Sequence, residues 1–207
     1  MKILITGASG FIGNYFVKNL RKNHNIIAIT HKRKAYLSSK KNIILIKKDL
    51  TKKFQSRVQN LDLIIHCANY TPANHKNTKS LIKKNNLMIK NLLDFANLNQ
   101  VNKIIYLSSM AVYKIRKQKN FQITENSTLN YDNDYSISKI SDEKILKRWQ
   151  KKNFSKKLLI LRLPGVIGPN SHGNFISNLK KKIMRKKSKF IKIFNLYNNF
   201  NNALHIS

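Results

Sequence analysis

The chain has 207 residues, 42% of them hydrophobic, one cysteine, and 41 Lys and Arg against 8 Asp and Glu, for a formal net charge of +33. That length suits one sizeable core. No apolar run approaches the roughly 18 residues that a membrane-spanning helix needs, and a lone Cys67 excludes an internal disulfide and reads as a small buried apolar residue. The positive excess is mostly Lys, spread over the whole chain together with abundant Asn and Ile, as an AT-rich coding sequence would give. It reads as compositional drift, so a nucleic-acid partner is not expected; Lys180 to Lys189 is where the opposite reading would show itself.

In chain order, Lys2 to Thr6 reads as a short buried strand and Phe11 to Lys22 as a helix with Phe11, Ile12, Tyr15, Phe16 and Leu20 at helical spacing. Ile26 to Thr30, Ile43 to Lys47 and Asp62 to Cys67 are apolar runs too short for helices and rich in β-branched residues, hence strands. Thr78 to Leu98 carries Leu81, Ile82, Leu87, Met88, Leu92, Leu93 and Phe95 on one helical face. Lys103 to Ser108 is a fifth strand, Tyr113 to Asn133 lacks periodicity and reads as a surface loop, and Tyr135 to Lys151 is a helix. Lys157 to Leu163 follows as a strand, then Phe175 to Lys186 as a helix and Phe190 to Phe194 as a last strand. This alternation predicts an α/β protein with a Rossmann-type, doubly wound parallel sheet covered on both faces. The first strand begins directly after Met1, which leaves no room for a leader and sets the expectation of a cytoplasmic protein.

Gly7-Ala8-Ser9-Gly10-Phe11-Ile12-Gly13 places glycines three apart between the first strand and the first helix. Gly7 permits a tight turn, Gly10 lets the backbone approach a pyrophosphate and Gly13 lets helix and strand pack closely, while the helix N-terminus attracts phosphate. Ser9, Phe11 and Ile12 complete this dinucleotide-binding turn. About 20 residues on, where NAD-selective sites carry Asp or Glu, stands Thr30, followed by His31, Lys32 and Arg33. With no carboxylate there to repel a 2′-phosphate and three bases to pair with it, NADP is favoured slightly over NAD. Asp49 beyond the third strand, with Leu50 beside it, is a candidate for the adenine end; a turn cap is the alternative for Asp49.

Tyr135 and Lys139 are four apart on a helix, so an ammonium can sit beside a phenol and favour its deprotonated form. Such a tyrosine serves as acid and base toward a carbinol oxygen. No metal site is expected.

Together the glycine turn, Ser108-Ser109-Met110-Ala111-Val112-Tyr113, Tyr135-x-x-x-Lys139 and Leu161-Arg162-Leu163-Pro164-Gly165-Val166-Ile167-Gly168-Pro169 resemble the extended short-chain dehydrogenase/reductase family, also called the NAD-dependent epimerase/dehydratase family. The resemblance runs over essentially the whole chain. It implies that Ser109 hydrogen-bonds the reacting oxygen, that Tyr135 is the catalytic acid/base, and that Lys139 activates it and holds the nicotinamide ribose. It further implies that His66 and Ala68, in His66-Cys67-Ala68-Asn69, line the cofactor, a core histidine being the alternative for His66, that Asn85 lies near the fifth strand and the cofactor, and that Asn174 contacts the substrate diphosphate, a helix N-cap being an equal alternative. Residues 1–170 would then form the NAD(P)-binding domain and 171–207 part of a substrate-binding region.

Three departures from the family pattern bear on function. Where dehydratases follow the catalytic Thr with Asp-Glu, this chain has Met110 and Ala111, so dehydration is not expected. Lys114 and Asp134 replace a usual Gly and Pro near the substrate loop. Asn202 to Ser207 resembles a segment after which relatives continue, so a truncated or split gene, or an incomplete lid, is expected. The expected function is NAD(P)-dependent hydride transfer on a nucleotide-activated sugar, as an epimerase or reductase, with a homodimer through the helices near Thr78 to Leu98 and Tyr135 to Lys151. The alternatives are a non-catalytic NAD(P)-binding protein, acting as redox sensor or nucleic-acid partner, and an inactive fragment.

Overall fold

A computed structural model describes residues 1–31, 42–72, 78–114, 122–169, 171, 178–179, 183–184 and 203–206. Its elements are β1 (Lys2–Thr6), α1 (Phe11–Leu20), β2 (Asn25–Thr30), β3 (Ile43–Lys47), β4 (Leu63–His66), α2 (Thr78–Leu98), β5 (Lys103–Ser109), a 3₁₀ turn (Met110–Val112), α3 (Asp134–Lys151), β6 (Lys157–Leu163), β7 (Gly165–Ile167) and β8 (Ala203–His205). The chain divides into two compact units, residues 1–162 and 163–207.

In the first unit six strands form a sheet in the order β3-β2-β1-β4-β5-β6, and the pairs from β3 to β5 are parallel. Because side chains alternate across a strand, β1 sends Ile3 and Ile5 to one face and Leu4 to the other. Ile3 and Ile5 join Val17 of α1, Ile26, Ala28 and Ile65, whereas Leu4 joins Ile27, Ile64, Leu92, Phe95, Ile104 and Trp149 under α2 and α3. Both faces are therefore apolar, as a buried parallel sheet requires, and each fully covered large side chain contributes about 1.5–3 kcal/mol. The strand order reverses at β1, between β2 and β4, and in open α/β sheets ligands bind outside the carboxyl ends of the strands at such a switch point.

The stretch expected to be a surface loop after β5 is anchored at both ends. Tyr113 is buried and bridges Leu129 in antiparallel fashion, Asn130 N–H donates to Val112 O (2.8 Å), and Ile123 and Leu129 pack on Val112, Tyr113 and Ile140. Scattered apolar residues without a period made that small core illegible in the sequence.

In the second unit β7 and β8 pair in parallel, Gly165 to Ala203 through Ile167 to His205, a pairing between segments too short and too far apart for periodicity to reveal. Residues 178–179 and 183–184 are helical, within the expected helix of Phe175 to Lys186. The strand expected at Phe190 to Phe194, the basic stretch Lys180 to Lys189 apart from Ile183 and Met184, and the candidates Lys32, Arg33 and Asn174 lie outside the described residues.

Candidate functional site

At the carboxyl end of β1 the glycine turn is fixed from two sides. Gly7 has φ +64°, and a Cβ there would meet the Ala68 backbone N at 2.7 Å; a Cβ on Gly13 would overlap the Gly7 carbonyl. These two glycines are demanded by the protein's own packing. Gly10 differs: its N–H donates to Gly7 O (2.8 Å), and a Cβ there would meet only that oxygen, at 3.1 Å, so the remaining space faces outward. Ala8 N–H ties the turn to Ile29 O (3.0 Å). Ser9, Phe11 and Ile12 are half-buried around it, no side chain caps the N-terminus of α1, and no carboxylate stands in its first turn. An uncapped helix end behind a tight glycine turn fits a diphosphate in both geometry and sign of charge.

At the end of β2 the Thr30 side chain is buried, and its carbonyl accepts from Lys48 N–H (2.7 Å). His31 is half-buried, with Nε2 3.7 Å from Asp49 Oδ2. Asp49 also caps its own turn, Oδ1 accepting from Thr51 N–H (2.9 Å) and Oγ1 (2.7 Å). Burial raises its proton affinity, but the Thr51 hydrogen bonds and the charges of His31 and Lys52 outweigh that and hold the carboxyl below its ordinary value. A carboxylate therefore does stand beside the first base after β2, which the sequence reading did not foresee, because the third strand brings it there. Leu50 is a core residue whose carbonyl accepts from Asn91 Nδ2 (2.9 Å).

Thr6, His66 and Tyr106 form a row across the ends of β1, β4 and β5. Thr6 Oγ1 accepts from the N–H groups of Cys67 and Ala68 (3.2 Å each), so its single proton goes to His66 Nδ1, 2.8 Å away. That fixes the Nε2–H tautomer. The ring is 2% exposed and stacks on Tyr106, and burial, aided by the charge of Lys139, lowers its pKa to about 3. His66 is thus a neutral core histidine rather than a cofactor-lining one. Its neighbours Cys67 and Ala68 are the half-buried members of the motif, and burial pushes the Cys67 thiol up to about 12, which makes it a poor nucleophile.

Asn85 is likewise internal. Its Oδ1 accepts from Tyr70 N–H (2.8 Å), and its Nδ2 donates to Tyr70 O and to Ser138 Oγ (3.0 Å each), clamping the segment after β4 to α3. The expected neighbourhood of Asn85 to a cofactor is therefore that of a support, not a contact, since every polar atom of its side chain is engaged with protein.

At the other end of the row, α3 begins at the cap Asn133, whose Oδ1 accepts from Ser136 N–H (2.9 Å). The cap sets Tyr135 in the first turn and Lys139 one turn later. Ser109, at the end of β5, lies beside the Tyr135 phenol, and its Oγ accepts from Ala111 N–H (3.2 Å). The Tyr135 phenol is pushed above its ordinary range by burial, with the Ser109 hydrogen bond acting in the opposite direction. The sequence reading expected Lys139 to lower it. Instead the Lys139 ammonium, itself 4% exposed, donates to Leu107 O (2.8 Å) and Tyr106 OH (3.1 Å). Desolvation lowers its pKa to about 8 against the pull of Asp142, Cys67 and Glu143.

Sequence reasoning missed the acidic partners. Tyr106 OH donates to Asp142 Oδ2 (2.9 Å). Glu143 accepts from Ser108 Oγ (2.5 Å) and, in bidentate fashion, from Arg162 (3.0 and 2.6 Å), whose Nη1 donates to Tyr113 OH (2.6 Å). Lys139, Asp142 and Glu143 share the inner face of α3 at spacings of three and four, a signal that a search for acids near the Tyr-Lys pair would have found. Among the described residues, no group of three His, Cys, Asp or Glu is placed to hold a metal ion, and no helix is long and apolar enough to cross a membrane.

A glycine turn at the switch point of a doubly wound sheet, with a Ser-Tyr pair and a buried lysine at the ends of neighbouring elements, defines a Rossmann-type α/β protein. A family model narrows this: residues 3–199 match the NAD dependent epimerase/dehydratase family, and the chain belongs to that family. It is 30% identical over 188 residues to a UDP-glucose 4-epimerase of Lactobacillus helveticus, covering 84% of this chain and 54% of that protein. A dTDP-4-dehydro-6-deoxy-D-allose reductase of Streptomyces is 26% identical, with coverages of 87% and 62%. Among solved structures, the Bacillus cereus UDP-glucuronic acid 4-epimerase in complex with UDP-glucuronic acid and NAD superposes with a TM-score of 0.78 at 25% identity, covering 89% of this chain and 63% of that one. The chain spans between about half and two thirds of the length of these relatives.

Proposed function

We propose that this chain is the cofactor-binding and proton-transferring part of an NAD(P)-dependent enzyme acting on a nucleotide-activated sugar, as an epimerase or reductase. The observation that carries this reading is the coexistence of an outward-facing, uncapped glycine turn with Ser109 and Tyr135 side by side near a buried lysine. A pure dinucleotide-binding protein has no use for the second half of that arrangement. A bound nicotinamide would supply hydride transfer to or from a carbinol carbon.

The chain's own residues do the rest. The turn around Gly7, Ser9, Gly10 and Gly13 and the first turn of α1 would hold the diphosphate, and the His31–Asp49 end of β2 and β3 the adenosine. Tyr135 OH would donate a proton to, or take one from, the sugar oxygen, with Ser109 Oγ hydrogen-bonded to the same oxygen. Lys139 would offer its third N–H to the ribose, and Asn174 would meet the substrate diphosphate. Met110 and Ala111 offer no acid or base for eliminating water, which favours epimerase or reductase over dehydratase. The lean toward NADP rests on Thr30 and the bases after it, and Asp49 weakens it by already engaging His31. A homodimer through α2 and α3 is proposed on the family resemblance.

Titration with NADH and NADPH, followed by nicotinamide fluorescence, tests the core of this reading. Saturable binding is expected in the wild type and its loss in Gly10→Val, whose Cβ meets only the Gly7 carbonyl oxygen and whose methyl groups fill the outward space. The ratio of the two affinities decides between the cofactors. A folded protein that binds neither would remove the enzyme reading and leave a fragment that keeps the fold alone.

A further inference from the structure

We propose that Asp142 is a positioning residue for Lys139 that acts through the Tyr106 hydroxyl, the three side chains forming a buried relay that aims the ammonium. This inference rests on the reading of Lys139 as a cofactor-facing group. Tyr106 is 1% exposed, Lys139 4% and Asp142 1%, so water reaches none of them appreciably. The direction of the hydrogen bonds is forced, because an ammonium only donates and the phenol has a single proton. Lys139 Nζ gives to Tyr106 OH (3.1 Å), and Tyr106 OH gives to Asp142 Oδ2 (2.9 Å). With Leu107 O taking a second N–H at 2.8 Å, two of the three ammonium protons are committed and the direction of the third follows.

Apart from the Tyr106 hydrogen bond, which also ties α3 to β5, no hydrogen bond among the described residues engages the Asp142 carboxylate. Its Oδ1 has no hydrogen-bond partner, and burial raises its pKa to about 7 against the pull of Lys139 and the Tyr106 hydrogen bond, so a carboxylate is costly at that place. Its neighbour Glu143 is already neutralised by Arg162 and engaged by Ser108, which leaves Asp142 as the carboxylate available to Lys139. The other titratable groups around the ammonium are Cys67 and His66 from the end of β4, Tyr106 from β5 and Tyr135 from α3 itself. His66 and Cys67 are neutral near pH 7, and both tyrosines hold their protons. Removing the Asp142 charge therefore leaves Lys139 facing desolvation with one nearby counter-charge fewer.

The test uses the full chain with ¹³Cε-labelled lysine, the Lys139 resonance being assigned by its loss in Lys139→Arg. Asp142→Asn keeps the shape and an acceptor for Tyr106 but removes the charge, and should lower the Lys139 titration midpoint by about one pH unit or more. Tyr106→Phe keeps the ring and removes the bridge, and should move the midpoint in the same direction by less. NADH affinity at pH 8 should fall by up to about fivefold in Asp142→Asn for a midpoint one unit lower and recover in part in Asp142→Glu, as expected for an ammonium that has lost its charge. An unchanged Lys139 midpoint in a folded Asp142→Asn protein, with or without a lower melting temperature, overturns the relay. A shifted midpoint in a chain that never binds NADH upholds the relay and removes the cofactor reading instead.

Discussion

The two halves of the site are built by opposite means. At the β1–α1 turn the working parts are backbone: N–H groups, a helix end and glycines whose missing side chains make room. At the β5–α3 end they are side chains, the buried Lys139, Asp142 and Glu143 with a half-buried Arg162 paired to Glu143. A backbone site tolerates almost any neighbours but no Cβ at Gly7 or Gly13, whereas a buried charge network tolerates loss of a whole pair better than loss of one partner. The site therefore has two distinct ways to fail, by steric overlap and by stranded charge.

The largest effect should come from the backbone half. Gly13→Ala drives a methyl group into the Gly7 carbonyl and should unfold the chain or lower its unfolding free energy by roughly 3 kcal/mol or more, seen as a lost or strongly shifted urea transition. The same substitution at Gly10 should leave that transition nearly in place, because only one contact of 3.1 Å opposes it. Equal losses at both positions would show that the difference between the two glycines is not real.

In the charged half, Arg162→Leu strands Glu143, whose side chain is 4% exposed, and should cost about 3–5 kcal/mol in chemical denaturation. The double variant Arg162→Leu with Glu143→Leu should recover much of that loss. Tyr135→Phe stands apart from both: it should leave stability and NADH binding near wild type while lowering turnover about 10²-fold or more, measured on a UDP-sugar.

A smaller effect should follow pH through His66. Its folded pKa of about 3 lies below the unfolded value of 6.5, so between these limits the unfolded chain binds the extra proton and stability falls as pH falls. His66→Gln should remove up to about 1.4 kcal/mol per pH unit of that slope, read from melts at pH 6 and pH 4.5. Smallest is Asp49→Asn: the His31 contact is partly exposed, so stability should change by less than about 1 kcal/mol. The preference between NADPH and NADH should move toward NADPH as the carboxylate is lost.

The alternation of strands and helices, the glycine turn and the Tyr-Lys spacing are legible in the amino acids alone, since each is a local property: a period of two, a period near 3.6, or a backbone position that admits only glycine. Bounds of α2 and β6 follow the periodicity residue for residue. The rest depends on what lies across the fold. His66 and Asn85 carry the residue types of a site, yet β1, β5 and α3 close over them and make them supports. Lys139 points to Tyr106 and Leu107 because α3 packs on β5, and Asp49 meets His31 because β2 and β3 run parallel side by side. Burial then sets the charge that each group carries. Desolvation depends on how completely other elements cover a side chain, and no spacing along the chain records it.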